Sequence, residues 1–579
     1  MNRVRTAYKK AHAKLVKRAA FLLKSPYAST FIVETTEDGM EKSRPDVELE
    51  LGERDKFVEE TMRIDPGAFA VSPSPYQFGK SAAGDGEDGK DGKDDKDDKD
   101  EARRAGLAAQ RERFVVWLFF KQSGRVFCPG HRVQTFFERF AEPGRRAPTV
   151  GHPREAGAVT CEEFSSAMRS VDRFFSTMKA SSPGLAMAEA EVLAECAAAG
   201  LDETQAGGVA RALKAPCFLL CGGGGTGKSL VVTKMLGMVT SRASRRTRVC
   251  ALTPTHKARS VLHTRLQAAG VTVETKTLKS FISERTRAHE TRDELFAVID
   301  ESSMIALEDF RDLARACEKY TSGAHIVLVG DDGQLPPIGA GEIFRTALAA
   351  PGLPKCRLTK CYRTDHRDLF EDIDRIRTGK PPRGSATVTI AHLGARDDVD
   401  KKVAELAAAT DCGLTVVAHT NAQVNRFNRI FQAHRHGTKA NLADTRRPWP
   451  VVGDRVVCLV NESSDVYNGL LGTIMARTGN AYTFRVQWDS GKVSGRVDSR
   501  SFDLAYCLTV HKAQGSEYDK VAVVVAGSMY GLDRRWLYTA ASRAQNGFYL
   551  IGKAHEIAGV CAASHPMENL PILCTKIDT

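Results

Sequence analysis

The chain lacks any apolar run long enough to cross a membrane. Its longest strongly apolar stretch is FVVWLFF at 114–120, whereas a membrane-spanning helix needs about 20 apolar residues. The start of the chain also lacks the charged segment, apolar core and cleavage site of a secretory leader. We therefore expect an intracellular protein, in the nucleus or the cytoplasm, with no membrane partner.

The 14 cysteines include no Cys-x-x-Cys pair. That spacing is typical of zinc ribbons and thiol redox sites, and dense cysteine clusters are typical of disulfide-built scaffolds. Neither class fits this sequence. We expect unpaired thiols in a reducing compartment.

Acidic residues are absent from residues 1–33, which contain eight lysines and arginines. Such a segment is typical of a nucleic-acid-binding arm or a nuclear signal. A mitochondrial presequence is a weaker alternative, because lysine outnumbers arginine. Residues 85–101 have the opposite bias, although the whole chain carries a formal net charge of +12. A basic body with one acidic segment suggests an anionic partner such as nucleic acid, or simply a well-solvated surface.

Composition changes divide the chain into several segments. Residues 1–80 are a basic N-terminal region, and the Gly/Asp/Lys tract at 81–104 is predicted to be a disordered linker because it cannot bury apolar surface. Residues 105–200 predict a mostly helical accessory domain. From residue 201 onward, short apolar runs such as HIVLVGD (325–331) alternate with helical patterns. This alternation predicts an α/β fold with parallel sheets covered on both faces.

The segment GGGGTGKS (222–229) satisfies the pattern G-x-x-x-x-G-K-S between a predicted strand and a predicted helix. Glycines let backbone N–H groups point at phosphate oxygens, and the helix N-terminus adds a partial positive charge. Lys228 is predicted to reach the β- and γ-phosphates of ATP, and the Ser229 hydroxyl to bind Mg²⁺. The predicted ATP-binding residues of this loop are Gly222, Gly223, Gly224, Gly225, Thr226, Gly227, Lys228 and Ser229.

Polar side chains follow two later strands. In VIDESSM (298–304), Asp300 is predicted to join the Mg²⁺ shell and Glu301 to orient and deprotonate the attacking water. The alternative is a strand-to-helix turn with a capping acid. In LVGDDGQLPP (328–337), Gln334 can sense the γ-phosphate.

Two arginines are candidates for stabilising the charge of phosphoryl transfer from another domain. These are Arg363 in LTKCYRT and Arg543 in YTAASRAQ. An arginine that arrives in this way is worth about 10³–10⁵ in rate. A lone arginine is more often part of a surface salt bridge, but both lie in short polar turns beside apolar runs.

The ordered series of motifs resembles the superfamily 1 DNA helicases of the 5′–3′ group, and within it the RecD/Dda-like branch, with Pif-type relatives more distant. The resemblance covers residues 201–555 and rests on the motifs above together with LTPTHKA (252–258) and LTVHKAQGSEYDKV (508–521). It implies two RecA-like parallel-sheet motor domains, at 201–350 and 351–579. It also implies a small SH3-like β-barrel inserted at about 447–503.

The resemblance assigns further site residues. Gln205 matches the glutamine that the family uses on the adenine base, and Gln514, Gly515 and Glu517 match residues near the nucleotide. The residues matched to DNA contacts are Thr255, His256, Lys257, Thr277, Lys279, Thr420, Asn421, Thr509, His511 and Lys512.

The function implied is an ATP- and Mg²⁺-dependent helicase that moves 5′–3′ on single-stranded DNA and acts at single-strand/duplex junctions, in replication, recombination or repair. The N-terminal region is a candidate docking site for replication or repair proteins. Relatives place a strand-splitting hairpin between Ile282 and Phe296, and the shortness of this interval predicts a short or absent pin. A single-strand translocase that strips proteins without unwinding, and a non-catalytic scaffold subunit, are the alternatives.

Overall fold

The computed structural model describes residues 128–129, 149–151, 158–180, 187–362, 366–394, 397–409, 413–437, 449–463, 465–479, 482–527 and 531–564. The chain forms two compact units, Met1–Ala167 and Met168–Thr579. The predicted basic region (1–80) and the predicted linker (81–104) lie outside the described residues. Those two expectations stay predictions.

The first unit contains a small antiparallel sheet. Strand β3 (Ala158–Thr160) lies between β1 (Cys128–Pro129) and β2 (Val150–Gly151). Helix α1 (Glu162–Ala180) follows β3 and continues into the second unit, and helix α2 is Glu189–Ala198. The described part of the predicted accessory domain therefore contains strands as well as helices.

The second unit alternates strands and helices. Its strands are, in chain order, β4 (Cys217–Gly222), β5 (Thr247–Thr253), β6 (Glu274–Thr277), β7 (Glu294–Ile299), β8 (Ala324–Gly330), β9 (Lys355–Leu358), β10 (Val388–His392), β11 (Leu414–Ala418), β12 (Arg455–Cys458), β13 (Leu471–Arg477), β14 (Thr483–Trp488), β15 (Val493–Asp498), β16 (Phe502–Leu504), β17 (Cys507–Thr509), β18 (Tyr518–Val525) and β19 (Ala544–Gly552). Its further helices are α3 (Glu203–Lys214), α4 (Lys228–Arg242), α5 (His256–Ala268), α6 (Leu278–Arg287), α7 (Leu307–Cys317), α8 (Ile343–Ala349), α9 (Arg367–Arg377), α10 (Val399–Ala409), α11 (Asn421–His436), α12 (Val510–Ala513), α13 (Arg534–Ala541) and α14 (Ala554–Ala562).

Six parallel strands form the sheet of a first lobe, which we define as residues 200–358. Their order is β6-β5-β7-β8-β4-β9. Strand β4 is buried along its whole length, as expected for a strand covered by helices on both faces. Side chains such as Phe218, Val232, Met235 and Phe296 form the core on one face of the sheet. The α/β fold predicted from the alternating pattern is confirmed.

The predicted domain boundary at residue 350 is wrong. Strand β9 pairs in parallel with β4, with Leu219 opposite Lys355. The first lobe therefore extends to Leu358, because β9 completes the edge of its sheet. The short KCRL run lacks the length and the continuous hydrophobicity that marked the other strands in the sequence.

A second parallel sheet belongs to a second lobe, which we define as residues 366–564. Its strand order is β10-β19-β18-β11-β17. The central strand β18 has five consecutive buried residues, Val521–Val525. Polar candidate residues therefore follow buried strands in both lobes. In such sheets, ligands bind at the carboxyl ends of the strands.

An antiparallel sheet is inserted between β11 and β17 of the second lobe. Its strand order is β15-β14-β13-β12-β16. Phe484, Val486 and Trp488 alternate with more exposed residues along β14 and face the core. This is the period of two expected for a half-buried strand. We call residues 449–504 the insertion.

A buried carboxylate ties the insertion to the second lobe. Asp454 is fully buried and accepts hydrogen bonds from Gln432 Nε2 (2.7 Å) and Tyr506 OH (2.8 Å). His436 Nε2 lies 2.9 Å from Oδ1, the oxygen that also accepts from Tyr506. Burial, followed by the nearby charge of Asp454, raises the pKa of Tyr506. The phenol therefore stays protonated and can act as the donor to this carboxylate.

Residues 282–296, all of which the structure describes, contain no β-hairpin. Helix α6 continues to Arg287, and residues 288–293 then lead directly into β7. One isolated bridge joins Thr291 to Tyr320. The interval therefore contains no strand-splitting pin. Among the described residues there is also no helix with the length and hydropathy of a membrane span.

Gly472 is required by close packing in the insertion. A Cβ at this position would lie 2.7 Å from Trp488 Cε3 and 2.8 Å from the Gln487 carbonyl oxygen. We expect Gly472→Ala to lower the free energy of unfolding by about 1–3 kcal/mol, the usual cost of overpacking. The midpoint of urea-induced unfolding measures this loss. Gly495→Ala is the matched control in the same sheet, because a Cβ there meets no atom within 4 Å. Equal effects of the two changes would contradict this packing argument.

Candidate nucleotide site and interlobe cleft

The phosphate-binding loop connects β4 to α4. Gly225 and Gly227 have positive φ angles of 77° and 82°, which favour glycine. A Cβ at Gly222 would lie 2.5 Å from Thr226 Oγ1. The Lys228 ammonium donates to the carbonyl oxygens of Gly222 (2.6 Å) and Gly223 (2.8 Å). The loop therefore curls around the lysine that was predicted to reach the phosphates.

Gln205 braces this loop from helix α3. Its side chain and that of Asp202 form a capping box at the start of the helix, and Gln205 Nε2 donates to the Thr226 carbonyl oxygen at 3.3 Å. Tyr362 donates its hydroxyl proton to Asp202 and its backbone N–H to the Gly225 carbonyl oxygen. Gln205 thus lies against the loop. The side chain of Tyr362, which contacts the same loop, is 36% exposed.

The two predicted catalytic carboxylates follow β7. The backbone N–H of Glu301 donates to Asp300 Oδ1 at 2.9 Å. Glu301 has a φ of 55°, the one positive value at a non-glycine among the described residues. Such left-handed geometry is costly and clusters at functional sites. The left-handed backbone at Glu301 therefore marks this residue as a candidate functional position.

Burial raises the pKa of both carboxyl groups. For Asp300, the charges of Lys228 and Arg265 act against that rise. For Glu301, the charge of Asp300 adds to it and the charge of Arg543 acts against it. The charges of cations from both lobes therefore favour the ionised carboxylates.

Ser229 and Asp300 fit a Mg²⁺ ion that is held mainly through nucleotide phosphates. The described residues contain no cluster of three or more acidic, histidine or cysteine ligands. Mg²⁺ commonly takes only one or two carboxylates from the protein and completes its shell with phosphate oxygens and water. One hydroxyl and one carboxylate match that donor set.

Two buried glutamines have amide atoms without a hydrogen-bond partner. Gln334 Oε1 and Gln514 Nε2 are buried and unpaired, and the two residues are 3% and 6% exposed. Unpaired buried polar atoms are costly, so each one calls for an explanation. Both belong to motifs that the sequence assigned to the nucleotide, and a bound ligand would supply their partners.

Helix α13 of the second lobe docks onto the loop that carries Gln334. Tyr538 donates to Asp331 Oδ2 at 2.7 Å, and Thr539 Oγ1 accepts from the Leu335 N–H at 2.8 Å. Arg535 donates to the Gln334 carbonyl oxygen at 2.6 Å. The same arginine lies 2.7 Å from Glu342, and both of these side chains are nearly fully buried.

These docking residues were missed by the sequence analysis. The motif YTAASRAQ predicted a role for Arg543 only, although Tyr538 and Thr539 lie inside it. Arg377 was also missed; it donates to Asp332 Oδ1 at 2.7 Å. No spacing rule indicated Arg377, because it lies in an ordinary amphipathic helix.

Of the two arginines predicted to stabilise phosphoryl transfer, the structure describes Arg543 but not Arg363. Arg543 is buried and donates to the carbonyl oxygens of Thr539 (3.1 Å) and Ser516 (3.3 Å). Its charge acts on Glu301, as described above. Arg363 lies outside the described residues, so its role stays a prediction.

Four of the predicted DNA contacts are threonines at helix N-termini. Each accepts a hydrogen bond from the backbone N–H three residues later and so caps its helix. They are Thr255 on α5, Thr277 on α6, Thr420 on α11 and Thr509 on α12. Helix N-termini carry partial positive charge and suit phosphate groups. Asn421 and His511 are exposed beside two of these caps.

The predicted lysines differ in their surroundings. Lys279 is 77% exposed, with Asp309 3.9 Å away. Lys512 forms an ion pair with Asp503 of the insertion at 3.0 Å. Lys257 lies over the ring of Tyr518, and burial lowers its pKa to about 8. The ring of His256 stacks on Tyr467 of the insertion with centroids 6.2 Å apart. Lys257, His256 and Lys512 therefore lie where the first lobe, the second lobe and the insertion meet.

Two family models match the chain. The AAA domain model matches residues 200–401. The model of the UvrD-like helicase C-terminal domain matches residues 504–551. Together they cover the phosphate-binding loop in the first lobe and the 508–521 and 538–545 motifs in the second.

Curated relatives include DNA helicases. The chain is 27% identical over 390 residues to the ATP-dependent RecD2 DNA helicase of Deinococcus radiodurans, which covers 65% of this chain and 52% of that protein. It is 25% identical over 415 residues to the RecBCD enzyme subunit RecD of Mycobacterium tuberculosis, which covers 61% and 69%. It is 30% identical over 275 residues to the probable conjugal transfer protein TraA of Sinorhizobium fredii, which covers 43% and 24%.

Similar solved structures include Pif1 helicases. The Candida albicans enzyme has a TM-score of 0.41 at 18% identity, covering 63% of this chain and 96% of that one. Bacteroides Pif1 in complex with ADP-AlF3 and single-stranded DNA has a TM-score of 0.35 at 20% identity, covering 57% and 88%.

The chain spans about half the length of RecD2 and a quarter of TraA. The matched segments nevertheless contain the phosphate-binding loop, the carboxylate pair and the second-lobe motifs in one order. The chain is therefore similar to the RecD helicases in the residues that carry these motifs.

Proposed function

We propose that the protein is an ATP-dependent DNA helicase that moves 5′–3′ along single-stranded DNA and separates strands at single-strand/duplex junctions. Its work would lie in replication, recombination or repair inside the cell, in the nucleus or the cytoplasm. The proposal is supported by the similarity to RecD helicases and by one structural observation, the way in which the second lobe reaches the proposed catalytic residues of the first.

The observation that carries the proposal is this shared site. Lys228, Asp300, Glu301 and Gln334 belong to the first lobe, while the charge of Arg543 reaches Glu301 from the second. A hydrolysis site divided between two lobes changes its interlobe contacts when the γ-phosphate leaves. That is the property a motor needs, because nucleotide state then sets the relative position of two DNA-binding surfaces.

In this proposal each residue has one chemical task. Lys228 and the loop N–H groups bind the phosphates, and Ser229 and Asp300 hold Mg²⁺, which neutralises phosphate charge. The raised pKa of Glu301 suits a group that must take the proton of the attacking water. Gln334 Oε1, buried and unpaired, would orient that water or the γ-phosphate.

The proposed DNA channel runs along the four threonine-capped helix N-termini and the lysines beside them. Backbone N–H groups and lysines bind phosphates without reading base sequence, so binding would be sequence-independent and sensitive to salt. Lys512 must leave Asp503, or share it, to meet a phosphate. The channel would therefore change its ion pairs when DNA enters.

The insertion is proposed to be an SH3-like barrel that helps to close this channel. Support comes from its five-stranded antiparallel sheet and from the contact between Tyr467 and His256. The N-terminal region is proposed as the docking site for replication or repair proteins.

A second candidate function is a translocase that strips proteins from single strands without strong unwinding. The specific observation in its favour is that residues 282–296 form no hairpin. A motor of this kind would hydrolyse ATP and move on DNA, but would lack the element that splits the duplex.

Strand release distinguishes the two candidates. We expect the protein with Mg²⁺ and ATP to release the strand of a duplex that carries a single-stranded 5′ tail. It should leave a duplex with a 3′ tail intact. ATP consumption without release from either substrate would favour the translocase. Release from the 3′-tailed duplex alone would contradict the proposed direction.

Replacing the proposed general base should separate binding from hydrolysis. We expect Glu301→Gln to reduce single-strand-stimulated ATP hydrolysis by about 100-fold or more, since general-base catalysis contributes about 10²–10⁴. Affinity for ATP should stay within about threefold. Glu294→Gln is the matched control, because Glu294 lies at the opposite end of the same strand. Hydrolysis at the normal rate in Glu301→Gln would exclude this residue as the base.

Lys257 should make DNA binding depend on pH. Its pKa of about 8 means that it is charged at pH 7 and mostly neutral at pH 9. Burial sets this value; Asp489 raises it, and Arg455 and Arg543 lower it. For single-stranded DNA, we expect the slope of log affinity against log salt to flatten by about 0.7 between pH 7 and pH 9.

The control for this pH effect is Lys257→Arg, because arginine stays charged across the range. Its salt slope should be the same at both pH values. An unchanged slope in the wild-type protein would mean that Lys257 makes no phosphate contact.

A further inference from the structure

Arg265 touches both lobes beside the predicted metal ligands. It lies in the last turn of helix α5. Its Nη1 donates to Ser229 Oγ at 2.8 Å, and its Nη2 donates to Glu517 Oε2 at 3.1 Å. Ser229 belongs to the phosphate-binding loop of the first lobe, and Glu517 precedes β18 in the second. Arg265 was not among the residues singled out in the sequence.

We infer that Arg265 stands in for the metal before nucleotide binds, and that Mg²⁺–nucleotide moves its guanidinium from Ser229 to Glu517, which links the lobes. This inference rests on the proposed nucleotide site and names a positioning residue within it. It assigns Arg265 no contact with the substrate.

The first argument is competition for one oxygen. A serine hydroxyl bound to Mg²⁺ must direct a lone pair at the ion. The guanidinium already donates to that oxygen, and a cation so close to Mg²⁺ is repelled by it. The guanidinium therefore occupies the hydroxyl oxygen that the metal would need.

The second argument is that Arg265 has another partner ready. Glu517 already accepts a hydrogen bond from Nη2 of Arg265. A carboxylate can accept two parallel hydrogen bonds from one guanidinium. Gln545 Nε2 also donates to Glu517 Oε2 at 3.0 Å, which holds the carboxylate in place. The side chains of Arg265 and Glu517 are 40% and 35% exposed, so the guanidinium has room to turn.

The third argument concerns the other end of helix α5. This end carries Thr255 and Lys257, which are proposed to bind DNA. Gly515 packs there, since a Cβ on it would lie 3.7 Å from Ala258 Cβ and 3.9 Å from Thr255 Oγ1. The 515–517 segment of the second lobe therefore contacts both ends of a helix about 20 Å long. A change at Arg265 can bias the helix that also holds the proposed DNA contacts.

The inference gives the two partners opposite effects. Without Arg265, Mg²⁺ meets no competitor at Ser229, so metal-dependent nucleotide binding should tighten. Without the charge of Glu517, Arg265 has no alternative partner and stays on Ser229, so metal-dependent binding should weaken. With both changed, the loss of Arg265 should decide the outcome, because Glu517 acts only through it.

The test measures nucleotide binding without turnover. A fluorescent ADP is titrated into the full-length protein with Mg²⁺ and again with EDTA, and the ratio of the two affinities is recorded. We expect Arg265→Gln to raise this ratio about three- to tenfold, the size of a partly exposed charged hydrogen bond. Glu517→Gln should lower the ratio by a similar factor, and the double variant should behave like Arg265→Gln.

Arg246→Gln is the matched control, because Arg246 is exposed and lies just before β5, at the opposite edge of the same sheet. Its ratio should equal that of the wild-type protein. Thermal melting checks that every variant is folded.

Other outcomes would overturn the inference. A lower ratio in Arg265→Gln would mean that the guanidinium supports the metal–nucleotide complex instead of competing with it. A double variant as weak as Glu517→Gln would mean that Glu517 acts on the nucleotide itself. Unchanged ratios in all variants, with Mg²⁺-dependent binding in the wild-type protein, would remove the inference and leave the proposed function intact. No binding of ADP to the wild-type protein would contradict both.

Discussion

The docking of helix α13 onto the loop at 331–335 is the constraint on which the nucleotide cleft depends. Asp331 is fully buried and accepts a hydrogen bond from Tyr538 across the cleft. The same helix holds the Gln334 backbone through Arg535 and the Leu335 backbone through Thr539. Leaving a buried carboxylate unpaired costs several kcal/mol. The lobes therefore have a defined arrangement around the site.

This arrangement bears on how the proposed reaction would be coupled to movement. Gln334 follows Asp331 by three residues, so the group proposed to sense the γ-phosphate is attached to the same loop that the second lobe grips. Arg543 lies two residues beyond the end of α13 and acts on Glu301. Any displacement of α13 would change the surroundings of the proposed catalytic carboxylate and of the proposed sensor together.

On the side proposed to bind DNA, threonine caps stand at four helix N-termini. Thr255, Thr277, Thr420 and Thr509 each satisfy the start of a helix and also stand beside its partial positive charge. Replacing one of them would therefore change both a cap and a proposed phosphate contact. Experiments on these four positions need a measure of folding beside any measure of DNA binding.

Much of the site could be predicted because its chemistry is local in the chain. The phosphate-binding loop needs glycines, a lysine and a serine at fixed spacing, and the structure places them between β4 and α4 as expected. The carboxylate pair after β7 was predicted for the same reason. The boundary at 350 failed because β9 is a short strand, recognisable only by its pairing with β4. The ion pair of Lys512 with Asp503 was also outside prediction, since it joins a motif to an insertion that packs against it.

The sequence by itself determined the α/β class, the phosphate-binding loop and the order of motifs that resembles the RecD helicases, because each depends on residues close together in the chain. Only the tertiary structure decided which residues meet across the cleft. Arg265 reaches Ser229 and Glu517, Arg535 reaches Glu342, and Tyr538 reaches Asp331. The two residues of each pair lie between 36 and 252 positions apart in the chain, and the packing of the two sheets brings them together. Side-chain spacing along one strand or helix contains no information about the lobe that will lie opposite it.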